Sequence, residues 1–392
     1  MGRKRYFTMT EQSDIVSTTE HDTTVLLLDY LASLTPSTPS PASQIGSFLS
    51  QGADLLHRDS TTGTTPLHIA ARSGNTEAVT VLLGAGHPWN VVDNTGKSVG
   101  EVAKEAGWDE LYEELVEEGV RVEFVLGVLE KAQTDDETET PADASSQTSS
   151  PNPLPDTLKS RPQNLTESTT LSTSYLSSSL TYTADTLTDT SSNAVMMSWE
   201  TPLMILHTTS LFSRRAFPTS EFHILNVGFG LGIVDSIIQS HKPTTHTIIE
   251  AHPDVYKKMI ADGWDKKEGV EVIFSKWQDA LENGLLTRTY DAIFFDTFGE
   301  NYDDLHSFHE HLPNLLTDES STYSFFNGLA GTNQFFHDVA CRMVELDLAE
   351  MGIETEWVEV DVGKLGDNVW QGMRRKYWSL NGYRLPVCRL VA

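Results

Sequence analysis

The feature that most constrains this chain is a junction. The apolar run Ile224-Leu225-Asn226-Val227 passes through Gly228-Phe229-Gly230-Leu231-Gly232 into residues 233–239, which have helical periodicity. Glycines let a backbone leave a strand and enter a helix within a few residues, and that step is the building unit of sheets with crossover helices. The alternation continues downstream: short apolar runs at 222–227, 247–250, 270–274, 290–295, 322–326, 356–360 and 384–391 are separated by stretches with room for helices. An α/β, doubly wound, seven-stranded Rossmann-like domain is therefore predicted. Residues 377–380 precede Asn381-Gly382, a tight-turn dipeptide, so the last strand is expected to form an antiparallel hairpin with that segment.

The junction also predicts a ligand site, because a glycine turn admits a ligand to the backbone and the following helix offers unpaired N–H groups. Any tight strand-to-helix turn uses the same residues, so the neighbours matter. Glu250 closes the next strand, 22 positions after Gly228, where a carboxylate can accept hydrogen bonds from ribose hydroxyls. That spacing suits a nicotinamide dinucleotide as well as S-adenosylmethionine. The third glycine is off the dinucleotide spacing and no hydride-transfer constellation is visible, so adenosylmethionine is preferred. Ser275-Lys276-Trp277-Gln278-Asp279 follows the third strand and could hold adenine, although Trp277 serves equally as core packing. Asp296 ends the fourth strand, at the edge where open α/β sheets bind ligands; a loop cap is the alternative.

The formal charge of −29 is spread over the chain, with 10 basic and 25 acidic residues in 1–160 and 17 and 31 in 161–392. Such a field repels a phosphate backbone and attracts cations, so direct nucleic-acid binding is not expected and a basic protein substrate is. Solubility alone would explain the same charge. Cys341 and Cys388 are the only cysteines and fall in segments read as helix and strand, against a disulfide framework or a zinc site. No run approaches the ~18 apolar residues of a membrane span, and no signal-peptide core is present, so a cytoplasmic protein is expected. Arg3-Lys4-Arg5 adds the nucleus as a second location, although so short a cluster is as readily a solvated tail. A monomer is expected.

Residues 61–86 contain Thr65-Pro66-Leu67-His68-Ile69-Ala70 and resemble the ankyrin repeat. Thr65 and Pro66 suit the N-cap and first position of one helix, and Val79, Leu82 and Leu83 form the buried stripe of a second, which Gly84 and Gly86 end. A shift of 33 residues lays Ser98-Val99-Gly100-Glu101-Val102-Ala103 on the signature, Gly107 on Gly74 and Gly119 on Gly86, a degenerate second repeat. Phe48-Leu49-Ser50-Gln51-Gly52-Ala53 reads as the end of an earlier one. The expected organisation is a disordered tail over 1–19, an ankyrin-like region over 20–130 that binds a partner protein, a flexible acidic Ser/Pro linker over 131–160, and the α/β domain over 161–392. Within 161–195, Leu171, Tyr175, Leu176, Leu180 and Tyr182 are expected to lie against that domain.

Trp199-Glu200-Thr201-Pro202, the 226–232 loop, Ile248-Ile249-Glu250-Ala251-His252 and Tyr290-Asp291-Ala292-Ile293-Phe294-Phe295-Asp296-Thr297 together resemble guanidinoacetate methyltransferase. With the ankyrin-like region, the chain resembles the fungal type IV class of protein arginine methyltransferase, which methylates the internal (delta) guanidino nitrogen. The resemblance implies S-adenosylmethionine as cofactor, held by Tyr175, Met204, Asn226, Gly228, Phe229, Gly230, Leu231, Gly232, Ile233, Val234, Glu250, Ala251, His252, Trp277, Gln278 and Asp296. It implies substrate contacts at Met196, Glu200, Asn327 and Gly328, catalytic roles for Glu200 and Asp296, and no metal. Met204 as helix core and Asn327-Gly328 as a plain turn are the structural alternatives. Where the family begins its loop with an acid, this chain has Asn226. A guanidinium is a poor, positively charged nucleophile, and two carboxylates could orient it and accept its proton. A ribosomal protein would suit the acidic field as substrate. A free guanidino acid is the alternative acceptor, and a non-catalytic ankyrin scaffold the alternative from another class.

Overall fold

The computed structural model describes residues 14–138, 175–213, 221–298 and 302–391. The chain divides into two compact units, Met1–Arg161 and Pro162–Ala392.

The first unit is helical: α1 (Asp14–Ser33), α2 (Ala42–Ser50), α3 (Pro66–Ser73), α4 (Thr76–Gly84), α5 (Val99–Glu105) and α6 (Asp109–Thr138). α1 packs on α3, α2 on α4 and α3 on α5, so successive pairs stack as repeats that could not bury their faces alone. The signature residues act as caps and ties. The Thr65 N–H donates to His68 Nδ1 (3.3 Å), and His68 Nε2 then donates to the Lys97 carbonyl of the next repeat (3.2 Å). In the degenerate repeat Ser98 and Glu101 replace that pair with a reciprocal capping box: Ser98 N–H to Glu101 Oε2 at 2.9 Å, Glu101 N–H to Ser98 Oγ at 3.2 Å.

Three local readings differ from the structure here. Gly119, aligned with the helix-ending Gly86, lies inside α6, because Val120 and Leu126 continue the buried stripe past it and the helix pays only a propensity cost there. α6 thus occupies 131–138, the start of the segment read as linker. At the other end α1 starts at Asp14, inside the stretch read as tail. Residues 1–13 and 139–174, including Leu171, lie outside the described residues.

The second unit opens with a small antiparallel sheet, β1 (Thr181–Tyr182), β2 (Thr186–Thr188) and β3 (Ala194–Met197), then a 3₁₀ turn at Ser198–Glu200. After α7 (Thr201–Leu211) come β4 (His223–Val227), α8 (Ile233–Ser240), β5 (Thr245–Glu250), α9 (Pro253–Ala261), β6 (Val270–Phe274), α10 (Trp277–Glu282), β7 (Ala292–Phe295), α11 (Tyr302–His309), α12 (Leu312–Leu315), β8 (Thr322–Phe325), α13 (Gln334–Glu350), β9 (Ile353–Asp361) and β10 (Gly382–Leu390). The seven-stranded sheet has the order β6-β5-β4-β7-β8-β10-β9, and β10 runs antiparallel to both its neighbours. β5, β7 and β8 are buried at every residue, as strands covered by helices on both faces must be.

All seven predicted strands are present and the last is antiparallel, but its hairpin partner is not 377–380. β10 pairs with β9 through nine consecutive residues, from Gly382↔Asp361 to Leu390↔Ile353. A ladder of that length outweighs the few pairs a turn at Asn381-Gly382 could start. Residues 377–380 instead bury Trp378 completely, its Nε1 donating to the Leu380 carbonyl at 2.9 Å.

Candidate active site

The strand order reverses between β4 and β7, and a cavity opens beyond the carboxyl ends of β4, β5 and β7, where the diverging connections leave room. Gly228 shows why the junction is glycine. Its φ is +94°, its N–H donates to the Ile249 carbonyl (2.9 Å), and a Cβ there would collide with the Asp296 carbonyl oxygen. One residue thus locks three strands together at the rim. Of the residues expected there, Gly228, Phe229, Gly230, Glu250, Ala251, Trp277, Gln278, Asp296, Tyr175 and Met196 line the cavity, joined by Thr297 and Phe298, which the sequence reading did not single out.

Glu250 is buried and faces the loop. Its Oε2 accepts the Phe229 N–H (2.9 Å) and its Oε1 the His252 N–H (2.6 Å). Burial raises its pKa against the pull of those N–H donors. The Gly230 and Ala251 N–H groups also draw on this carboxylate, which lines the cavity. Trp277 is a wall and core residue at once, edge-on to Phe295 and Phe308.

Other expected contacts are not brought to the cavity lining. The Asn226 amide donates to the Gly228 carbonyl and to Asp235 Oδ1, both at 2.8 Å, so it braces the loop from behind. His246 Nε2 lies 3.1 Å from the same Asp235 oxygen. Gly232 caps α8 with φ +69°, while Leu231, Ile233, Val234 and Met204 pack into the core cluster with Ile224 and Phe294. His252 is fully buried; its Nδ1 accepts the Asp254 N–H, so its Nε2 carries the proton and donates to the carbonyls of Tyr175 and Ser178, each at 3.1 Å. It is the strut that holds Tyr175 over the site, where the Tyr175 ring packs on Phe298.

Glu200 ends the 3₁₀ turn because Pro202 starts α7 with its φ already helical, leaving the carboxylate at the helix N-terminus. The side chain is buried and Tyr377 donates its hydroxyl to Oε1; the Trp199 indole N–H donates in turn to the Tyr377 oxygen (2.8 Å). Burial and then the nearby Asp296 charge raise the Glu200 pKa well above the carboxylate range, opposed by the Tyr377 hydroxyl and the Met197 backbone. Asp296 is pushed up to about 7 by burial and then by Asp235, and its Oδ2 has no partner. Glu200 thus lies within the field of Asp296, which lines the cavity while Glu200 does not.

Asn327 lies beside this region rather than in the cavity. Its N–H donates to the Tyr383 hydroxyl (2.8 Å) and its amide to the Arg384 carbonyl (3.1 Å), leaving a buried Oδ1 without a partner. The Tyr383 hydroxyl donates to His207 Nε2 (2.9 Å), while His207 Nδ1 donates to Ser324 Oγ (2.7 Å), whose proton goes to the Pro386 carbonyl. Burial lowers the His207 pKa to about 3, so the relay is neutral. Gly328, next in the chain, is exposed and precedes the turn at Leu329-Ala330. Tyr377, Tyr383 and His207 carry no local sequence signal, since each gains its role from a partner far away in the chain.

A family model of guanidinoacetate N-methyltransferase matches residues 167–324, and an ankyrin-repeat model matches 62–94. Protein arginine N-methyltransferase 2 of Aspergillus oryzae is 38% identical over 334 residues, covering 80% of this chain and 78% of the relative. Its namesake in Cryptococcus neoformans is 33% identical over 396 residues, covering 94% and 97%. The chain belongs to the protein arginine N-methyltransferase 2 family. Its seven-stranded sheet and its ankyrin-type repeats are thus the two parts of one methyltransferase family's architecture. Among solved structures, a precorrin-6Y C5,15-methyltransferase from Geobacter metallireducens overlays at a TM-score of 0.34 with 17% identity, over 49% of this chain and 88% of its own.

The cavity residues fit the cofactor of such a family. Asp296 Oδ2 and Thr297 Oγ1 are buried polar atoms without partners at the cavity wall. Glu250 puts a carboxylate at the wall where a ribose would lie, and Trp277, Phe298 and Tyr175 supply apolar faces for a purine.

Proposed function

We propose that the protein methylates arginine in a basic protein with S-adenosylmethionine, and that the methylated atom is the internal, delta nitrogen of the guanidino group. The observation that carries this reading is the buried Glu200 carboxyl together with Asp296, half-buried at the cavity wall with Oδ2 unpartnered, each with its pKa raised. A guanidinium beside them would supply the opposite charge that the ionised form of each acid lacks, and it presents planar N–H donors.

S-adenosylmethionine, when bound, supplies a methyl group on a positively charged sulfur. Glu250 would hold its ribose and Trp277 with Gln278 its adenine, as the lining of the cavity supports. Glu200 and Asp296 orient the guanidinium and neutralise it, which restores the electron density that delocalised charge withdraws from nitrogen. Tyr377 occupies Glu200 Oε1 and so fixes the orientation of the carboxyl. Asp296, poised near 7, accepts the proton the nitrogen gives up and releases it near neutrality.

The internal nitrogen is favoured by the resemblance to the fungal type IV class, and the guanidinoacetate N-methyltransferase match supports a guanidino acceptor. That match equally favours a second reading, a free guanidino acid as acceptor. The ankyrin unit and the charge of −29 favour a protein, with the repeats recruiting a basic partner, for which a ribosomal protein is suitable. A nuclear as well as a cytoplasmic location belongs to the same proposal and rests on Arg3-Lys4-Arg5.

The test is intact-mass analysis of basic proteins and of guanidinoacetate after incubation with S-adenosylmethionine, followed by fragmentation of any modified peptide. One methyl on the delta nitrogen is expected, lost in Glu200→Gln. Methyl on a terminal nitrogen, or on guanidinoacetate alone, refutes it.

A further inference from the structure

β9 is an edge strand: β10 is its single neighbour among the described strands. Which of its backbone groups face outward follows from the ends of the ladder. The Val391 N–H donates to the Gly352 carbonyl (2.8 Å) and the Val362 N–H to the Asn381 carbonyl (2.9 Å), so positions 352 and 362 both turn toward β10. Hydrogen-bonded pairs recur at every second residue of an antiparallel ladder, and the register from Ile353 to Asp361 has no break. The N–H and C=O groups of Ile353, Thr355, Trp357, Glu359 and Asp361 therefore point away from the sheet.

Natural edges are usually blunted by proline, charged side chains, a bulge or short length. β9, Ile-Glu-Thr-Glu-Trp-Val-Glu-Val-Asp, has no proline, bulge or shortness over nine residues, and its only such device is a set of acids, all of one sign. Glu354, Glu356, Val358, Glu359 and Asp361 are exposed. Two of the four acids are tied to β10, Glu356 to Arg389 (3.1 Å) and Glu359 to Arg384 (2.8 Å). A second copy of this strand would set carboxylate against carboxylate, which disfavours self-pairing. An extended cationic segment meets no such penalty.

The direction of β9 makes the edge relevant to the site. β9 and β8 both run antiparallel to β10, so β9 is parallel to β4, β7 and β8. Its carboxyl end lies at the same edge of the sheet as Asp296. The chain leaving it, 362–381, carries Trp370 and Tyr377, and Tyr377 bonds Glu200. We propose that β9 is the docking edge for the protein substrate: an extended Lys/Arg-rich segment adds to it as an eighth strand and delivers its arginine past Asp361 toward Glu200 and Asp296. This rests on the protein-substrate reading above. Main-chain bonds would provide affinity tolerant of sequence, and the acids a preference for basic segments.

The test compares two acceptors, a long lysine-rich peptide with one arginine and N-acetylarginine amide, on wild type, on Thr355→Pro and on the double variant Glu354→Lys/Glu356→Lys. Thr355→Pro removes an outward donor but no ladder bond; the double variant leaves the backbone untouched. In both, the KM of the long peptide relative to the small acceptor should rise about tenfold, the equivalent of about 1.4 kcal/mol. Calorimetric binding of S-adenosylmethionine confirms folding of each variant. Wild-type KM for the long peptide in a folded double variant overturns the docking edge and leaves the arginine reading standing. Methylation of neither acceptor by wild type overturns both.

Discussion

Asp296→Asn offers the sharpest quantitative test of the acid pair. The substitution keeps the shape of the side chain and removes its titration. In the folded protein the Asp296 carboxyl is pushed up to about 7 from the ordinary 3.8. A raised folded pKa means the contribution is fully present below about pH 4, where the carboxyl is protonated folded or unfolded, and is lost as pH rises through 7. Above pH 8 the folded wild type carries the whole cost of a buried, ionised acid. A shift of about three units corresponds to a ceiling of roughly 4 kcal/mol, which opening to the cavity reduces toward half. At about 2–4 °C per kcal/mol, the variant should melt roughly 5–10 °C above wild type at pH 8.5, with the gap closing toward pH 4. Calorimetric melts of both proteins across that range measure it. Methyl transfer should meanwhile fall about a hundredfold or more, since the site loses its proton acceptor. A melting difference of the same size at every pH, or a variant less stable than wild type at pH 8.5, would refute the claim that burial raises the Asp296 carboxyl.

Tyr377→Phe removes the hydroxyl that links Trp199 to Glu200; steady-state kinetics should show about a tenfold higher acceptor KM, with cofactor affinity by calorimetry unchanged. Gly228→Ala forces a side chain into the left-handed region and against the Asp296 carbonyl, so denaturant melts should show a loss of about 2–3 kcal/mol and titration no cofactor binding. His252→Ala frees the carbonyls of Tyr175 and Ser178; cofactor affinity should fall several-fold while the mutated protein keeps its far-UV dichroism. Ser98→Ala opens the capping box of the degenerate repeat and should cost about 1 kcal/mol in urea unfolding of the helical unit, with kcat on a small acceptor unaltered.

The strands of the larger unit were legible one by one, because each is a short apolar run bounded by polar residues and the period of such a run is a local property. Gly228, Glu250 and Asp296 were legible as well, since the carboxyl end of a parallel strand is a ligand edge whatever the rest of the chain does. Thr65 and His68 announced the repeat for the same reason: the cap is made within one turn. What the sequence could not decide was which partner each polar group finds. Asn226 looked like a ligand contact and is turned back onto Asp235. His252 looked like another and is the strut beneath Tyr175. Tyr377 bonds a residue 177 positions away, and the turn dipeptide Asn381-Gly382 yields to a ladder with Ile353–Asp361. Strands and caps depend on neighbours in the chain, so the sequence by itself determined them. The hydrogen bonds of buried polar groups depend on which segments the core brings together, and those only the tertiary structure decided.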